Sequence, residues 1–157
     1  MAMLLLWGSG AGLSAAQTTA SSPPPGLVLA QVALGTAALA GLPRRTVTVT
    51  EDSGIVTYSG VDLGALLAKN GAPQGAALRG AAASDYVLVR ASDGYRAVFA
   101  LAELDAGLTD KVVLLADARN GAPLGADSGP FRIVVPDEKH HVRWVRNVTD
   151  VQVIHAP

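Results

Sequence analysis

The alternation of apolar and polar residues predicts a chain rich in short strands. Residues 46–50 alternate threonine with valine, which is the pattern of a strand with one buried face. Extended runs at 86–90 and 95–101 are joined by Ala91-Ser92-Asp93-Gly94, which predicts a hairpin with a positive-φ turn. The continuous apolar run at 111–116 predicts a strand buried on both faces. Further strands are predicted at 27–30, 55–58 and 131–135 and, as one or two strands, within 142–153.

Helices are predicted to be few and short. Leu63, Leu66 and Leu67 have the spacing of one helix face, Asp62 can cap that helix, and Asn70-Gly71 can end it. A second short helix is predicted at 36–40, and a helical turn at 101–104. These elements do not follow strict βαβ alternation, so the pattern predicts an α+β domain with a mixed or antiparallel sheet and a few short helices.

The N-terminal stretch predicts an exported protein. An apolar segment beginning at Met3 is followed by small residues up to Ala16, and then by a Ser/Thr and proline spacer that ends at Pro25. This order is typical of a signal peptide and linker, although no Lys or Arg precedes the apolar segment. We therefore expect residues 1–25 to be a signal peptide and linker, residues 26–157 to be one domain, and the location to be periplasmic or secreted. The apolar stretch at 26–42 is at the lower limit for a membrane span, and a strand and short helix are preferred there.

Composition excludes several classes of function. Twelve Lys and Arg against thirteen Asp and Glu give a net charge of -1, which argues against a broad nucleic-acid surface. The absence of cysteine excludes thiolate metal ligands, disulfides and a thiol nucleophile. Nucleophile-elbow and HExxH patterns are also absent. His140 and His141 are adjacent in a segment predicted to be extended, so they would point to opposite faces and could not readily share one ion.

A basic and aromatic cluster is the strongest candidate site. It follows the strand that carries Arg132 and consists of Lys139, His140, His141, Arg143, Trp144 and Arg146. Its arginines and histidines offer N–H donors for an anionic or acceptor-rich small ligand. A solvated, charged strand edge that discourages pairing is the alternative interpretation. Alternation along the segment predicts that Trp144 belongs to the core.

Four sequence blocks in order resemble the molybdopterin-binding domain of sulfite-oxidase-type oxidoreductases. The first is the Y-x-G-V-x-L-x-x-L-L pattern at 58–67, and the second is Asp93-Gly94-Tyr95. The third is the L-L-A-x-x-x-N-G-x-P-L pattern at 114–124. The last is G-P-x-R-I-V-V-P at 129–136, which leads to H-V-R-W-V at 141–145. The resemblance covers about residues 27–154 and implies an α+β, sulfite-oxidase-like fold around a mixed sheet.

The resemblance also implies which residues contact a pterin. The family's arginine before V-V-P corresponds to Arg132, and its x-V-K-W region to His141-Val142-Arg143. A polar residue just upstream corresponds to Ser128, and a further contact loop to Asp93. His140 adds a donor, and either Tyr95 or His141 could cover a ring face. Asp93, Tyr95, Ser128, Arg132, His140, His141 and Arg143 are therefore the predicted pterin-binding residues.

One departure from the family pattern changes the expected function. Catalytic members bind molybdenum through a cysteine just upstream of the Y-x-G-V pattern, where this chain has Thr48-Val49-Thr50-Glu51-Asp52. Oxygen-atom transfer at molybdenum and a catalytic residue are therefore not expected. The leading hypothesis is an exported protein that binds a pterin or related heterocycle and signals to a periplasmic or membrane-anchored partner protein. The alternatives are an accessory or remnant oxidoreductase subunit that holds a molybdenum cofactor through its pterin alone, and an interaction module that binds no ligand.

Overall fold

The computed structural model describes residues 26–156, which form nine strands and two short α-helices. The strands are β1 (Val28–Gln31), β2 (Arg44–Glu51), β3 (Gly54–Asp62), β4 (Tyr86–Ala91), β5 (Arg96–Ala100), β6 (Leu114–Arg119), β7 (Ala122–Pro123), β8 (Arg132–Val134) and β9 (Val148–Ile154). The α-helices are α1 (Thr36–Leu39) and α2 (Leu63–Lys69), and the 3₁₀ turns are Gly75–Ala77, Gly80–Ser84, Leu101–Leu104 and His141–Arg143. The predicted signal peptide and linker, residues 1–25, lie outside the described residues.

The strands form two sheets in which every described pairing is antiparallel. One sheet has the order β1-β9-β4-β5, and the other has β2-β3-β6-β7 with β8 paired to β6. The predicted strand-rich domain with few helices is confirmed. Of the mixed or antiparallel sheet that the pattern predicted, the antiparallel arrangement is found, and the mixed sheet implied by the resemblance is not. The physical reason is that β2–β3 and β4–β5 are tight hairpins and that β6 returns antiparallel to β3. The finer likeness to sulfite oxidase stays a prediction.

Local sequence signals predicted several elements accurately, whereas other elements begin or end at residues different from those predicted. The hairpin β4–β5 and its turn are confirmed, and so are β1 and α1 in the stretch at 26–42. The strand predicted at 111–116 begins only at Leu114 and runs to Arg119. Of the one or two strands predicted within 142–153, one is found: β9 starts at Val148, and the 3₁₀ turn His141–Arg143 precedes it. Neither α-helix in residues 26–156 has the length and apolar character that crossing a bilayer requires.

The Y-x-G-V-x-L pattern has a direct structural explanation at the start of α2. Asp62 caps the helix, because its Oδ1 accepts a hydrogen bond of 2.9 Å from the Gly64 amide. A Cβ at Gly60 would lie 2.1 Å from the Leu115 carbonyl oxygen, and one at Gly64 would lie 1.8 Å from the Leu104 carbonyl oxygen. Only glycine permits these two backbone approaches. The leucines of the pattern, Leu63, Leu66 and Leu67, are fully buried.

The two sheets share one hydrophobic core. Phe99 of β5 and Val151 of β9 come from the first sheet, while Leu115 of β6 and Ile133 of β8 come from the second. All four side chains are fully buried. This packing fixes β8, whose first residue is Arg132, against β6. The core therefore presents the predicted arginine from a rigid strand.

Candidate ligand-binding site

Three neighbouring clefts share residues of the predicted site. The first has a volume of about 370 Å³ and is lined by Arg119, Asn120, Pro123, Leu124, Gly125, Asp127, Ser128, Arg132 and Arg146. The second, of about 430 Å³, is lined by Thr50, Glu51, Asp52, Arg132, Lys139, His140 and His141. The third, of about 250 Å³, is lined by Asp93, Tyr95, His141, Val142, Trp144 and Arg146. Because Arg132, His141 and Arg146 each line two of these clefts, we treat the three together as the candidate site.

Arg132 lies at the centre of the candidate site. Its guanidinium carbon is 5.2 Å from the centroid of the Tyr58 ring and 5.5 Å from that of Trp144. Its Nη1 donates to the Tyr58 hydroxyl at 2.8 Å and lies 3.4 Å from the hydroxyl of the buried Ser128. The side chain is 14% exposed, and its buried Nε has no acceptor among the described residues. Arg132 is thus a fixed cation with unused donor capacity.

Glu51 is the residue of the Thr48–Asp52 stretch that enters this network. Its carboxylate accepts from the Tyr58 hydroxyl at 2.7 Å and from Arg119 Nη2 at 2.9 Å, and lies 3.9 Å from Arg132 Nη2. Burial raises the pKa of Glu51, but these hydrogen bonds and the arginine charges outweigh it, so the pKa lies below its usual value. Burial and the hydrogen bond to Glu51 raise the pKa of Tyr58. Glu51 is therefore an ionised internal partner for the arginines.

Aromatic side chains form one wall of the candidate site. The His141 ring stacks on Trp144 with centroids 3.7 Å apart and an interplanar angle of 15°. The Trp144 indole is buried, as predicted, and donates to the Val135 carbonyl at 3.0 Å. Tyr95 donates from its hydroxyl to the Val142 carbonyl at 2.6 Å and fixes the turn that carries His141. Asp93 accepts from the Tyr95 amide at 2.9 Å, which positions the loop at the mouth of the third cleft.

The structure brings six of the seven predicted residues to the candidate site. Asp93, Tyr95, Ser128, Arg132, His140 and His141 line its clefts. Whether these residues contact a pterin stays a prediction.

Arg143, the seventh predicted residue, lies elsewhere and lines none of the three clefts. Its Nε donates to Glu138 at 2.7 Å and its Nη1 donates to Glu103 at 2.9 Å. Its guanidinium carbon lies 4.4 Å from the centroid of the Phe99 ring. Burial lowers the pKa of Arg143, but the two carboxylates outweigh that effect and raise it. Arg143 therefore has its charge neutralised within the fold.

Several cleft residues, among them Arg146, Arg119 and Asn120, were not predicted from the sequence to bind the ligand. Arg146 is exposed and lines the first and third clefts, and Arg119 and Asn120 come from the end of β6 and its turn. Arg146 belonged to the predicted basic cluster, so proximity to Trp144 was an available signal. Arg119 gave no comparable signal, because antiparallel pairing with β3 brings it to Tyr58 from far along the chain. Asn120 belongs to the third of the four sequence blocks, and the Thr57 amide donates to its Oδ1 at 2.9 Å.

The donor set fits a pterin better than a metal held by the protein. Arginine, serine and amide donors match the acceptor edge and substituents of a pterin, and Asp93 offers an acceptor for its N–H edge. The chain has no cysteine, and the carboxylate of Glu51 is already bound by Tyr58 and Arg119. Residues 26–156 contain no group of three or more potential side-chain metal ligands. The residues present thus fit the organic part of a molybdenum cofactor and offer no thiolate to its metal.

Comparison with known families identifies the family of this chain. A family model described as the oxidoreductase molybdopterin binding domain matches residues 40–157. The chain belongs to this family. The resemblance inferred from the four sequence blocks is therefore confirmed, and the match to this molybdopterin-binding domain begins at Ala40, after β1 and α1. No curated protein matches the sequence.

Proposed function

We propose that this molybdopterin-binding domain binds a pterin or a related anionic heterocycle at Arg132 without molybdenum chemistry. The observation that carries the proposal is the state of the Arg132 guanidinium. It packs beside the Tyr58 and Trp144 rings, and its Nε is buried without an acceptor among the described residues. An unsatisfied buried donor is costly, so an acceptor atom supplied by a ligand would be stabilised here.

The charge of the first cleft supports an anionic or acceptor-rich ligand. Arg119, Arg132 and Arg146 line it, and Asp127 is the one carboxylate among its lining residues. Arg119 is paired with Glu51, which leaves Arg132 and Arg146 as the main donors for a ligand. A carbonyl oxygen, a ring nitrogen or a phosphate of the ligand would serve as acceptor. The cleft volume of about 370 Å³ is within the range of small-molecule sites.

The Glu51 network supports the metal-free part of the proposal. The stretch that corresponds to the family's molybdenum-binding cysteine here supplies a carboxylate, and two hydrogen-bond donors already hold it. Replacing a thiolate with a paired carboxylate removes a soft metal ligand and adds a negative charge that orients Arg119 and Arg132. In this proposal the stretch that matches the family's metal-binding segment belongs to the arginine framework.

Export and a partner protein complete the proposal. The N-terminal apolar segment and spacer support secretion to the periplasm or beyond. A ligand-binding protein without its own chemistry would report ligand occupancy to a periplasmic or membrane-anchored partner. Fractionation of the native host followed by N-terminal sequencing tests export, and we expect the mature chain to begin near Gln17.

The decisive experiment examines protein purified from its native host. We expect denaturation to release a small molecule with the fluorescence and mass of a pterin, and elemental analysis to find no stoichiometric molybdenum. Stoichiometric molybdenum would contradict the proposal and favour an accessory oxidoreductase subunit. The absence of any released pterin, together with no measurable affinity for added pterins, would favour an interaction module.

A further inference from the structure

The outer edge of β2 has the features of a pairing surface. Among the described residues β2 pairs with β3 alone, through eight continuous partner positions without a bulge. Its sequence, Arg-Arg-Thr-Val-Thr-Val-Thr-Glu, contains no proline or lysine. Natural edge strands usually carry such protection, because an unpaired edge offers its backbone groups to another strand. β2 is longer than a typical strand, and its charged residues are confined to its two ends, which leaves residues 46–50 uncharged.

The sequence of β2 is complementary to itself in one antiparallel register. When two copies pair about a two-fold axis normal to the sheet, residues that face each other must project from the same face. With Thr48 on the axis, Thr46 faces Thr50 of the second copy and Val47 faces Val49. In the same register Arg45 faces Glu51. Centring the pair on Val47 or Val49 removes the Arg45–Glu51 pairs.

We propose that β2 pairs antiparallel with β2 of a second copy of this chain, with Thr48 on the two-fold axis. The pairing joins the sheet β2-β3-β6-β7 of one copy to the same sheet of the other, which gives one continuous sheet. On the outer face of the joined sheet, the Thr48 and Thr57 side chains of the two copies form one row across the strands, because Thr48 already faces Thr57 of β3 in each copy. Cross-strand threonine and valine pairs and opposite charges each stabilise such a ladder.

The charged residues at the ends of β2 favour pairing with β2 of a second copy over pairing with an unrelated strand. The Arg45 side chain is 51% exposed and has only a long contact of 3.6 Å to Asp62. Glu51 of the second copy would stand directly opposite Arg45 on the same face. Because a carboxylate has about four acceptor positions, Glu51 can accept from Arg45 while keeping Tyr58 and Arg119. The dimer therefore places an arginine of each copy beside the ligand cleft of the other.

Single cysteines test the register without interference, because the chain has none of its own. In the full chain, Thr48→Cys should form an intermolecular disulfide under mild oxidation, because directly opposed residues lie about 4.5–5.5 Å apart at Cα. Thr46→Cys should not, since the two copies of residue 46 lie about 13 Å apart along the strands. Mixing Thr46→Cys with Thr50→Cys should give the mixed disulfide. Equal crosslinking of Thr46→Cys and Thr48→Cys alone would indicate random collision and overturn the proposal.

Sedimentation as a function of concentration tests the association itself. We expect a reversible dimer of the wild-type chain and a dissociation constant roughly tenfold higher for Thr48→Lys, because like charges then meet on the axis. Thr149→Lys adds the same charge at an exposed position in β9, away from the edge, and should leave the constant unchanged. A wild-type chain that stays monomeric would overturn the proposal. An equal rise in the dissociation constant for Thr48→Lys and Thr149→Lys would also overturn the proposal.

Discussion

Two arginines eleven positions apart, Arg132 and Arg143, have opposite roles in the structure. Arg143 lies between Glu103 and Glu138, and Lys111 donates to the other oxygen of Glu103 at 2.6 Å. In this group of side chains two cations meet two anions. Arg132 instead packs beside the rings of Tyr58 and Trp144, with Glu51 at 3.9 Å as its closest anionic contact.

The comparison shows that the side chains in contact with an arginine decide whether it can bind a ligand. A guanidinium whose donors all meet protein acceptors stabilises the fold and has little to offer a ligand. One that is held in place by ring contacts, and keeps spare donors, is preorganised for a ligand. The same residue type thus serves as a structural clamp in one region and as a candidate binding group in the other. Substitutions can separate these roles.

The largest expected effect is on ligand affinity when Arg132 is removed. Arg132→Ala should weaken binding of a pterin by about a hundredfold, because charge-assisted hydrogen bonds to a buried guanidinium are lost. Isothermal titration calorimetry with the pterin identified from the native protein measures this change. Arg132→Lys should recover part of the affinity, since the charge returns without the planar fork. An unchanged affinity in Arg132→Ala would contradict the role assigned to this region.

Removing Arg143 should affect stability and leave binding nearly unchanged. Arg143→Ala leaves Glu103 and Glu138 partly buried without their shared cation. We expect the free energy of unfolding to fall by about 2 kcal/mol, less than for a fully buried pair because the side chain is 27% exposed. Urea denaturation measures the loss. If instead the folded variant lost pterin affinity as strongly as Arg132→Ala, the contrast between the two arginines would be wrong.

A smaller effect is expected at Arg146, which the structure adds to the candidate site. Arg146→Ala should weaken binding by about tenfold, because an exposed donor contributes less than a buried one. The free energy of unfolding should change by less than about 0.5 kcal/mol. Arg96→Ala, at an exposed position on β5 that does not line these clefts, is the matched control. Equal losses of affinity in both variants would point to a general charge effect.

The smallest expected effect is the acid dependence of stability, which both regions share. Burial raises the pKa of Glu103, but its hydrogen bonds from Lys111 and Arg143 outweigh it and lower the pKa, as at Glu51. A lowered pKa in the folded state means that the unfolded chain takes up protons first as the pH falls. Stability should therefore be complete above the usual glutamate pKa and be lost as the pH falls through the folded values.

Substituting each glutamate separately divides this acid dependence between the two regions. Glu103→Gln should flatten the dependence of the free energy of unfolding on pH and leave the acid dependence of binding as in the wild type. Glu51→Gln should flatten both curves, because Glu51 orients the cleft arginines. Chemical denaturation and calorimetry across the acid range provide the measurements. Identical behaviour of the two variants would show that the regions are not separable in this way.

Local residue patterns predicted much of the fold, while the division of roles between the arginines required long-range contacts. The cap at Asp62, the leucine face of α2 and the β4–β5 turn depend on neighbouring residues, and each was visible in the sequence. The ion pair between Arg143 and Glu103 joins residues forty positions apart, and no local pattern signals it. The alternation of apolar and polar residues also wrongly predicted extended structure at Val142, because residues His141–Arg143 form a 3₁₀ turn.

Trp144, on which His141 stacks, is an intrinsic fluorescent probe of the candidate site. Trp144 is the one tryptophan in residues 26–156, and its ring centroid lies 5.5 Å from the Arg132 guanidinium carbon. A pterin bound at Arg132 would absorb in the near ultraviolet, close enough to accept excitation energy from this indole. Quenching of tryptophan emission with a matching rise in pterin emission would then report occupancy in solution. A mature chain that begins near Gln17 lacks Trp7 and has Trp144 as its one tryptophan, and in the uncleaved chain Trp7→Phe gives the same single-site reporter.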